Sequence, residues 1–421
     1  MEFQETAPLA HQALESEGRR RFVAQAGMVT VSMALGGSGL ASAAVPQPLN
    51  AWPQGPGRAL RVGLLLPDAS PYPLLGAQLL AGARAFAAQP GSSPLQFTPV
   101  VYGSRPSQAE PVVAHLLASG QVDLLAGFVC ANTAAQWEPL LAAHQVPLLV
   151  GDAGANALAP QARSEWVVRN SLGYWQAAWA AGRWAAKALG PRALVAVGPA
   201  DSGFDQLPAF ERGFASAGGR VQATMFTSAP DGTSRLDALA RQVRQTRPDF
   251  VYALASGAGT SAFRQFWNTS AMASQVPLVA AGMLAEDMAA FSLAGQVWAA
   301  RASQVPPGNP ATAAPGVSGS TPFHLLGYEM AQRMHAAALT SSGRAGGLAL
   351  AAGMASAVLQ TPRGRIHLDP ATGETVAPIY LHGLHQGPGA APMALPTVGA
   401  AACLGVCETL TSRVAGTYLT A

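Results

Sequence analysis

Apolar residues fall along this chain in two alternating patterns. Short runs that are apolar almost throughout, such as Leu60-Arg61-Val62-Gly63-Leu64-Leu65-Leu66, alternate with longer segments whose apolar residues recur every three or four positions, such as Leu75, Leu79, Ala83 and Phe86. A strand covered on both faces must be apolar at successive positions, whereas a helix needs only one apolar stripe. The alternation predicts βαβ units and parallel sheets.

In the first half, Gln96 to Tyr102 reads as a second strand, and Val112, Val113, Leu116 and Leu117 as the stripe of a second helix. Strand Val122 to Ala126, helix Ala134 to Ala143 and strand Val146 to Val150 complete an α/β half. The pattern restarts after Arg163 with helix Tyr174 to Leu189, strand Ala193 to Val197, helix Phe204 to Ala217 and strand Val221 to Phe226. Ser234 with Asp237 three residues later has the spacing of a capping box, ahead of an apolar face made by Leu236, Leu239, Ala240 and Val243. Strand Phe250 to Ala255, helix Ser261 to Ser270 and strand Val276 to Ala280 follow. The expected fold class is α/β, with two Rossmann-like lobes in tandem.

Pro306 to Pro322 is rich in Pro, Gly, Ser and Thr and reads as a flexible surface loop. A helix is expected over His324 to Leu339 and another around Leu348 to Leu359. Gly364 to Asp369 and Ala377 to Leu381 read as a hairpin turning at Pro370 to Glu374, and residues 386–421 form a tail with no assigned element.

Ahead of the first strand, Gly18-Arg19-Arg20-Arg21-Phe22-Val23 fits a twin-arginine export signal, followed by a mildly apolar stretch from Ala24 to Leu35 and a small-residue cleavage site at Ala41-Ser42-Ala43. Residues 1–43 are therefore expected to be a signal cleaved near Ala43. The apolar stretch is too short and too rich in Gly and Ser to anchor the chain in a bilayer, and no cysteine follows the cleavage site to carry a lipid.

Composition narrows the function. The 421 residues are 11% charged with ample branched and aromatic side chains, which is a globular composition long enough for two domains. The mean hydropathy of +0.21 comes from alanine; the longest apolar run, Ala345 to Leu359, is short and Gly-rich. A net charge of +3, from 24 Arg and the single Lys187 without a basic stripe, argues against nucleic acid. Three cysteines, Cys130, Cys403 and Cys407, do not make a disulfide framework, although Cys403 and Cys407 could bridge in an oxidising compartment if the tail is not helical.

Catalytic and cofactor motifs find little support. Gly257 to Ala262 fits G-x-G-x-x-A between a strand and a helix, but it comes late in the chain and no acid follows about 20 residues on. No phosphate-binding loop surrounds Lys187, and no G-x-S-x-G occurs. His382 and His385 read as surface residues rather than a metal site. The expectation is a protein without catalytic residues, metal or cofactor.

Several segments in order resemble one family. Leu60 to Pro67 looks like its opening strand, Gly76 to Ala83 its first helix, Val122 to Gly127 and Val146 to Leu149 its third and fourth strands, and Arg247 to Leu254 and Arg363 to Asp369 its later signatures. Together, over about 320 residues, they resemble the extracytoplasmic solute-binding proteins of branched-chain amino-acid (Leu/Ile/Val) ABC transporters, which have the type I periplasmic-binding fold. The resemblance implies two lobes, 60–172 plus about 300–345 and 173–299 plus about 360–385, joined by hinge crossings and closing on a ligand. It further implies a periplasmic location, export by the twin-arginine machinery, a small-molecule solute, an ABC permease in the inner membrane as partner, and a monomer. An exported ligand-sensing module of a regulatory or redox system is the alternative role.

Ligands in such folds sit at the carboxyl ends of the strands, where helix N-termini offer free N–H groups. This places Tyr72, with Asp68 and Ser70, after the first strand, and Cys130, Asn132 and Thr133 before the fourth-strand helix, where they either cap it or meet a carboxylate. Ala153 and Gly154 lie at the next strand end, Phe204 where the family often has an aromatic, and Ser256 and Gly257 after the strand ending at Ala255. The family positions that grip an amino acid fall on Ala131, Ala155 and Leu284, all apolar, with Asn132, Thr133, Glu286 and Asp287 one or two residues away. Tyr72, Phe204 and Trp175 instead suggest an aromatic pocket, so the expected ligand is amino-acid-like or a more apolar or aromatic acid or amide.

Overall fold

Strand β1 (Leu60–Pro67) is buried at every position but Arg61, as a run clothed on both faces must be. Arg61 instead reaches Asp123 with two side-chain hydrogen bonds, 3.1 and 2.5 Å, and caps the rim of the sheet. The computed structural model describes residues 59–68, 71–157, 164–303, 321–341, 346–386, 390–397 and 418–419. The signal at 1–43, Ser70, Cys403, Cys407 and nearly all of the loop 306–322 and of the tail beyond 397 lie outside the described residues.

Helix α1 (Leu75–Ala87) buries Leu75, Leu79, Ala83 and Phe86, the stripe read from spacing. After β2 (Leu95–Tyr102), helix α2 (Glu110–Ala118) buries Val113, Leu116 and Leu117 but leaves Val112 about half exposed, one position off the inward face. Strand β3 (Leu124–Phe128), helix α3 (Ala131–His144), β4 (Leu148–Asp152) and β5 (Val167–Ser171) complete a fully parallel sheet in the order β2-β1-β3-β4-β5.

The second sheet is built from β6 (Arg192–Val197), β7 (Arg220–Phe226), β8 (Phe250–Leu254), β9 (Leu278–Ala281), β10 (Val297–Arg301), β14 (Ile379–Gly383) and β15 (Met393–Leu395), in the order β15-β14-β10-β9-β8-β6-β7. Its first five strands in chain order are parallel, and β14 and β15 add an antiparallel edge. Helices α4 (Tyr174–Ala188), α5 (Gln206–Ser216), α6 (Leu236–Thr246), α7 (Ala258–Thr269), α8 (Met272–Gln275) and α9 (Gly282–Met288) clothe it. Ser234 does not complete a capping box: Arg235 takes the N-cap position of α6, and the Ser234 hydroxyl accepts from the Leu236 amide at 3.4 Å.

Helix α10 (Pro322–Thr340) returns to the first lobe and lies against α1 with glycines on both sides. A Cβ at Gly82 would run into the carbonyl of His324, and one at Gly327 into that of Leu79. Gly327→Ala is therefore expected to cost about 1–3 kcal/mol by forcing the helices apart, read as a lower thermal midpoint with an unchanged far-UV circular dichroism spectrum.

Helix α11 (Gly347–Ser356) stops before Leu359, which opens β11 (Leu359–Thr361) rather than extending the helix. The expected hairpin is also redistributed. Strand β12 (Gly364–Leu368) pairs with β11 and β13 (Thr375–Val376), whereas Ile379 to Gly383 joins the second sheet beside β10. Pro378, which has no N–H to donate, falls at the break between the two pairings.

Buried ion pairs hold the place where the lobes meet. Arg363 and Glu329, both fully buried, form a two-pronged pair at 2.7 and 2.7 Å, and Arg363 also donates to the carbonyls of Ser171 and Leu172 at the first chain crossing. Arg333 bonds Asn170 and the Met354 carbonyl beside them, and Arg169 pairs with Asp152 at 2.6 Å and with Glu374 at 3.4 Å.

Candidate functional site

Four loops converge between the carboxyl ends of the two sheets. Tyr72 follows β1 and Ala153 to Ala157 follow β4 in the first lobe; Asp201 to Asp205 follow β6 and Ser256-Gly257 follow β8 in the second. Parallel strands end where their loops are free to turn toward the other lobe, which is why these residues meet.

Hydrogen bonds bridge the lobes directly, among them one from the Asp205 amide to the Asn156 side-chain oxygen at 3.1 Å. The Gly257 amide donates to the Tyr72 hydroxyl oxygen at 2.6 Å, and the Ala157 amide donates to Asp205 at 2.9 Å. Gly257 stands at φ +56°, a conformation that glycine reaches cheaply, and this turns its N–H out of the α7 terminus toward Tyr72. Burial raises the Tyr72 phenol pKa, and its ring meets the edge of Phe323 at 6.0 Å.

The polar centre of the cleft is Asp201. Its carboxylate is fully buried and accepts from the Ser256 hydroxyl at 3.1 Å and from the Tyr418 hydroxyl at 2.7 Å. Desolvation pushes its pKa up to about 6, and the bonds from Tyr418 and Ser256 only partly offset that. Tyr418 links it to an apolar cluster that includes Phe204, Ala153, Ala155, Leu172, Tyr174, Met283, Phe323 and Leu419. Phe204 and Tyr418 pack in a T-shaped arrangement with ring centroids 4.7 Å apart, and Gln206, next to this loop, is wholly buried.

Of the residues read from sequence, Tyr72, Ala153, Phe204, Ser256 and Gly257 come together here. Gly154 is a turn residue at φ +66°: its amide donates to Asp152 at 2.8 Å and its carbonyl accepts from the Trp175 amide. Cys130 and Thr133 contact each other at 3.2 Å and Asn132 faces solvent, and among the described residues no hydrogen bond ties them to the Asp201 group.

Other expectations are corrected. Trp175 lies in the core under the second sheet and not against Tyr72 and Phe204, because α4 turns that face inward. Leu284 is buried in the other core of the second lobe, Glu286 pairs with Arg301 at 2.7 Å and Asp287 with Arg264 at 2.9 Å, so the acids near that position are held in ion pairs. His382 is buried and bonded to the Ser303 carbonyl at 2.8 Å rather than lying on the surface. Among the described residues, no cluster of His, Cys, Asp or Glu could hold a metal ion, and no helix is long and apolar enough to cross a membrane.

Sequence reading missed Asp201, Met283, Tyr418 and Leu419. Asp201 carried a usable signal, an acid in the loop between a buried strand and Phe204. Tyr418 carried a weaker one, as the only aromatic residue after Tyr380.

A parallel-sheet pair with its loops meeting at the strand ends is the architecture of a known group, and the family model described as periplasmic binding protein matches residues 59–387. This chain belongs to the periplasmic binding protein family. Among other family members, the Leu/Ile/Val-binding protein homolog 6 of Brucella abortus (strain 2308) is 27% identical over 235 residues, 54% of this chain. The chain matches only 59% of the length of that curated relative.

Solved binding proteins attest the fold. The solute binding protein of an ABC transporter from R. palustris in complex with benzoate superposes with a TM-score of 0.63 at 24% identity, covering 81% of this chain and 98% of that one. Another from R. palustris, in complex with 4-hydroxybenzoate, gives 0.64 at 19% identity over 81% and 96%. A putative branched-chain amino acid ABC transporter protein from Rhodospirillum rubrum gives 0.56 at 18% over 77% and 97%.

Proposed function

We propose that this protein, exported through the twin-arginine machinery and cleaved near Ala43, captures a small organic solute between its lobes in the periplasm. It then delivers the solute as a monomer to the inner-membrane permease of an ABC importer, without transforming it. The favoured solute class is an aromatic or otherwise apolar acid or amide.

The carrying observation is the make-up of the place where the strand-end loops meet: one buried carboxylate, Asp201, joined through Tyr418 and Phe204 to an aromatic and apolar cluster, with Glu286 and Asp287 engaged by arginines. Apolar and aromatic surroundings suit an apolar or aromatic solute, and a single buried acceptor suits a hydroxyl on its ring. The family membership and the aromatic acids in the two R. palustris structures point the same way.

A thermal-shift and calorimetric screen of benzoate, 4-hydroxybenzoate, leucine, isoleucine and valine against the mature protein tests this. The aromatic acids are expected to raise the melting midpoint, with stabilisation of about 2.7 kcal/mol when free ligand is 100 times Kd. A shift by the branched-chain amino acids alone would reject the solute class, and measurable turnover of any solute would reject the transport role.

A further inference from the structure

The segment carrying Tyr418 and Leu419 has no counterpart among the sheets or helices of either lobe, yet both residues are only 6% exposed and belong to the cluster that lines the cleft. Tyr418 puts a 4-hydroxyphenyl ring between the strand ends. Its hydroxyl donates to Asp201 and its ring packs against Phe204 in a T-shaped arrangement. These are the polar and aromatic contacts a free phenolic solute would need at this place.

The backbone does not favour this position by itself. Leu419 adopts φ +75°, a left-handed conformation that costs a branched-chain residue on the order of 1–3 kcal/mol. Side-chain burial must offset that cost. Gln206, wholly buried, lies beside the Tyr418 hydroxyl. A segment held against backbone strain by side-chain burial alone behaves as a replaceable occupant rather than as permanent core.

We propose that Tyr418 is a tethered competitor, seated where the ring of a phenolic solute binds, and that the solute enters by displacing it. The proposal rests on the solute-binding reading above and adds to it the ligand class, a ring bearing a hydroxyl for Asp201, and a device that sets the apparent affinity. When a binding-competent state is only a fraction of the population, the apparent Kd rises by the inverse of that fraction.

The test is calorimetry of the mature parent protein, Tyr418→Ala and Tyr418→Phe with 4-hydroxybenzoate, together with hydrogen exchange of the peptide carrying residues 418–419. Tyr418→Ala is expected to bind about tenfold or more tightly than the parent, with Tyr418→Phe between them, because it keeps the ring and loses the bond to Asp201. In the parent, saturating 4-hydroxybenzoate should raise exchange at 418–419.

Equal or weaker binding by Tyr418→Ala would overturn the proposal while leaving the solute-binding reading intact, as would unchanged or increased protection of 418–419 in the saturated parent. Binding by Tyr418→Ala with none by the parent would support a stronger competitor. If neither protein binds 4-hydroxybenzoate or benzoate, the aromatic-solute reading fails and takes the competitor with it.

Discussion

Glu329→Gln is expected to lower the stability of the protein by about 3–5 kcal/mol, the usual cost of leaving a buried charge without its partner. Glu329 is the only carboxylate bonded to Arg363 in the pairs described above, and both side chains are fully buried. Arg333 lies beside them, also buried; desolvation pushes its pKa down to about 10, with Glu329 opposing that fall and Arg363 adding to it. The neutral amide would leave two neighbouring guanidinium groups in a low-dielectric site, where they repel each other.

The amide would also present a donor to Arg363, which has none to accept with. Urea unfolding should show a lower midpoint at an unchanged slope. Replacing both partners, Glu329→Met with Arg363→Met, should recover part of the loss, since a well-packed apolar pair is often no worse than an ion pair. A single variant within 1 kcal/mol of the parent would show that the pair does not hold the crossing.

Asp201→Asn is expected to be more stable than the parent at pH 7.5, by up to about 3 kcal/mol, with the difference closing toward pH 4. The carboxyl titrates near 3.8 when unfolded and at about 6 in the fold. Between those values the folded state holds more protons than the unfolded state, so this group's contribution falls as pH rises through the window, and the full penalty is present above pH 6. The asparagine oxygen can still accept from Ser256 and Tyr418 without carrying a charge. Thermal unfolding of both proteins at half-unit steps from pH 4 to 7.5 measures this. A difference that stays constant with pH would mean that Asp201 is not the group whose charge the cleft resists.

The strands of both lobes were legible because a doubly covered strand is apolar at nearly every position: β1, β6 and β8 carry that mark. Strand β5 was not. Arg169, Asn170 and Ser171 interrupt any apolar run, yet each is buried because the hydrogen bonds and ion pairs around them satisfy their polar groups. The same cause hid the split of the 364–383 region, since two strands with similar patterns can serve different sheets.

The candidate site divides along a physical line. Tyr72, Phe204, Ser256 and Gly257 were readable because loops after parallel strands share one rim. Asp201 was passed over because local sequence cannot tell a buried carboxylate from a solvated one. Tyr418 lies 217 residues along the chain from Asp201, its hydrogen-bond partner, a separation that periodicity and spacing do not span. Trp175 was misplaced because an aromatic near a helix start can face the cleft or the sheet, and α4 turned it to the sheet.

The bond from Gly257 to Tyr72 also bears on time. Both of its atoms belong to the protein, one from each lobe, so on the proposed carrier role it would break each time the lobes part, whatever lies between them. A carried solute would then leave no sooner than this latch is undone, and its dwell time would include an interval common to all cargoes. Discrimination among cargoes would fall on capture, while the pace of unloading would be written partly into the carrier.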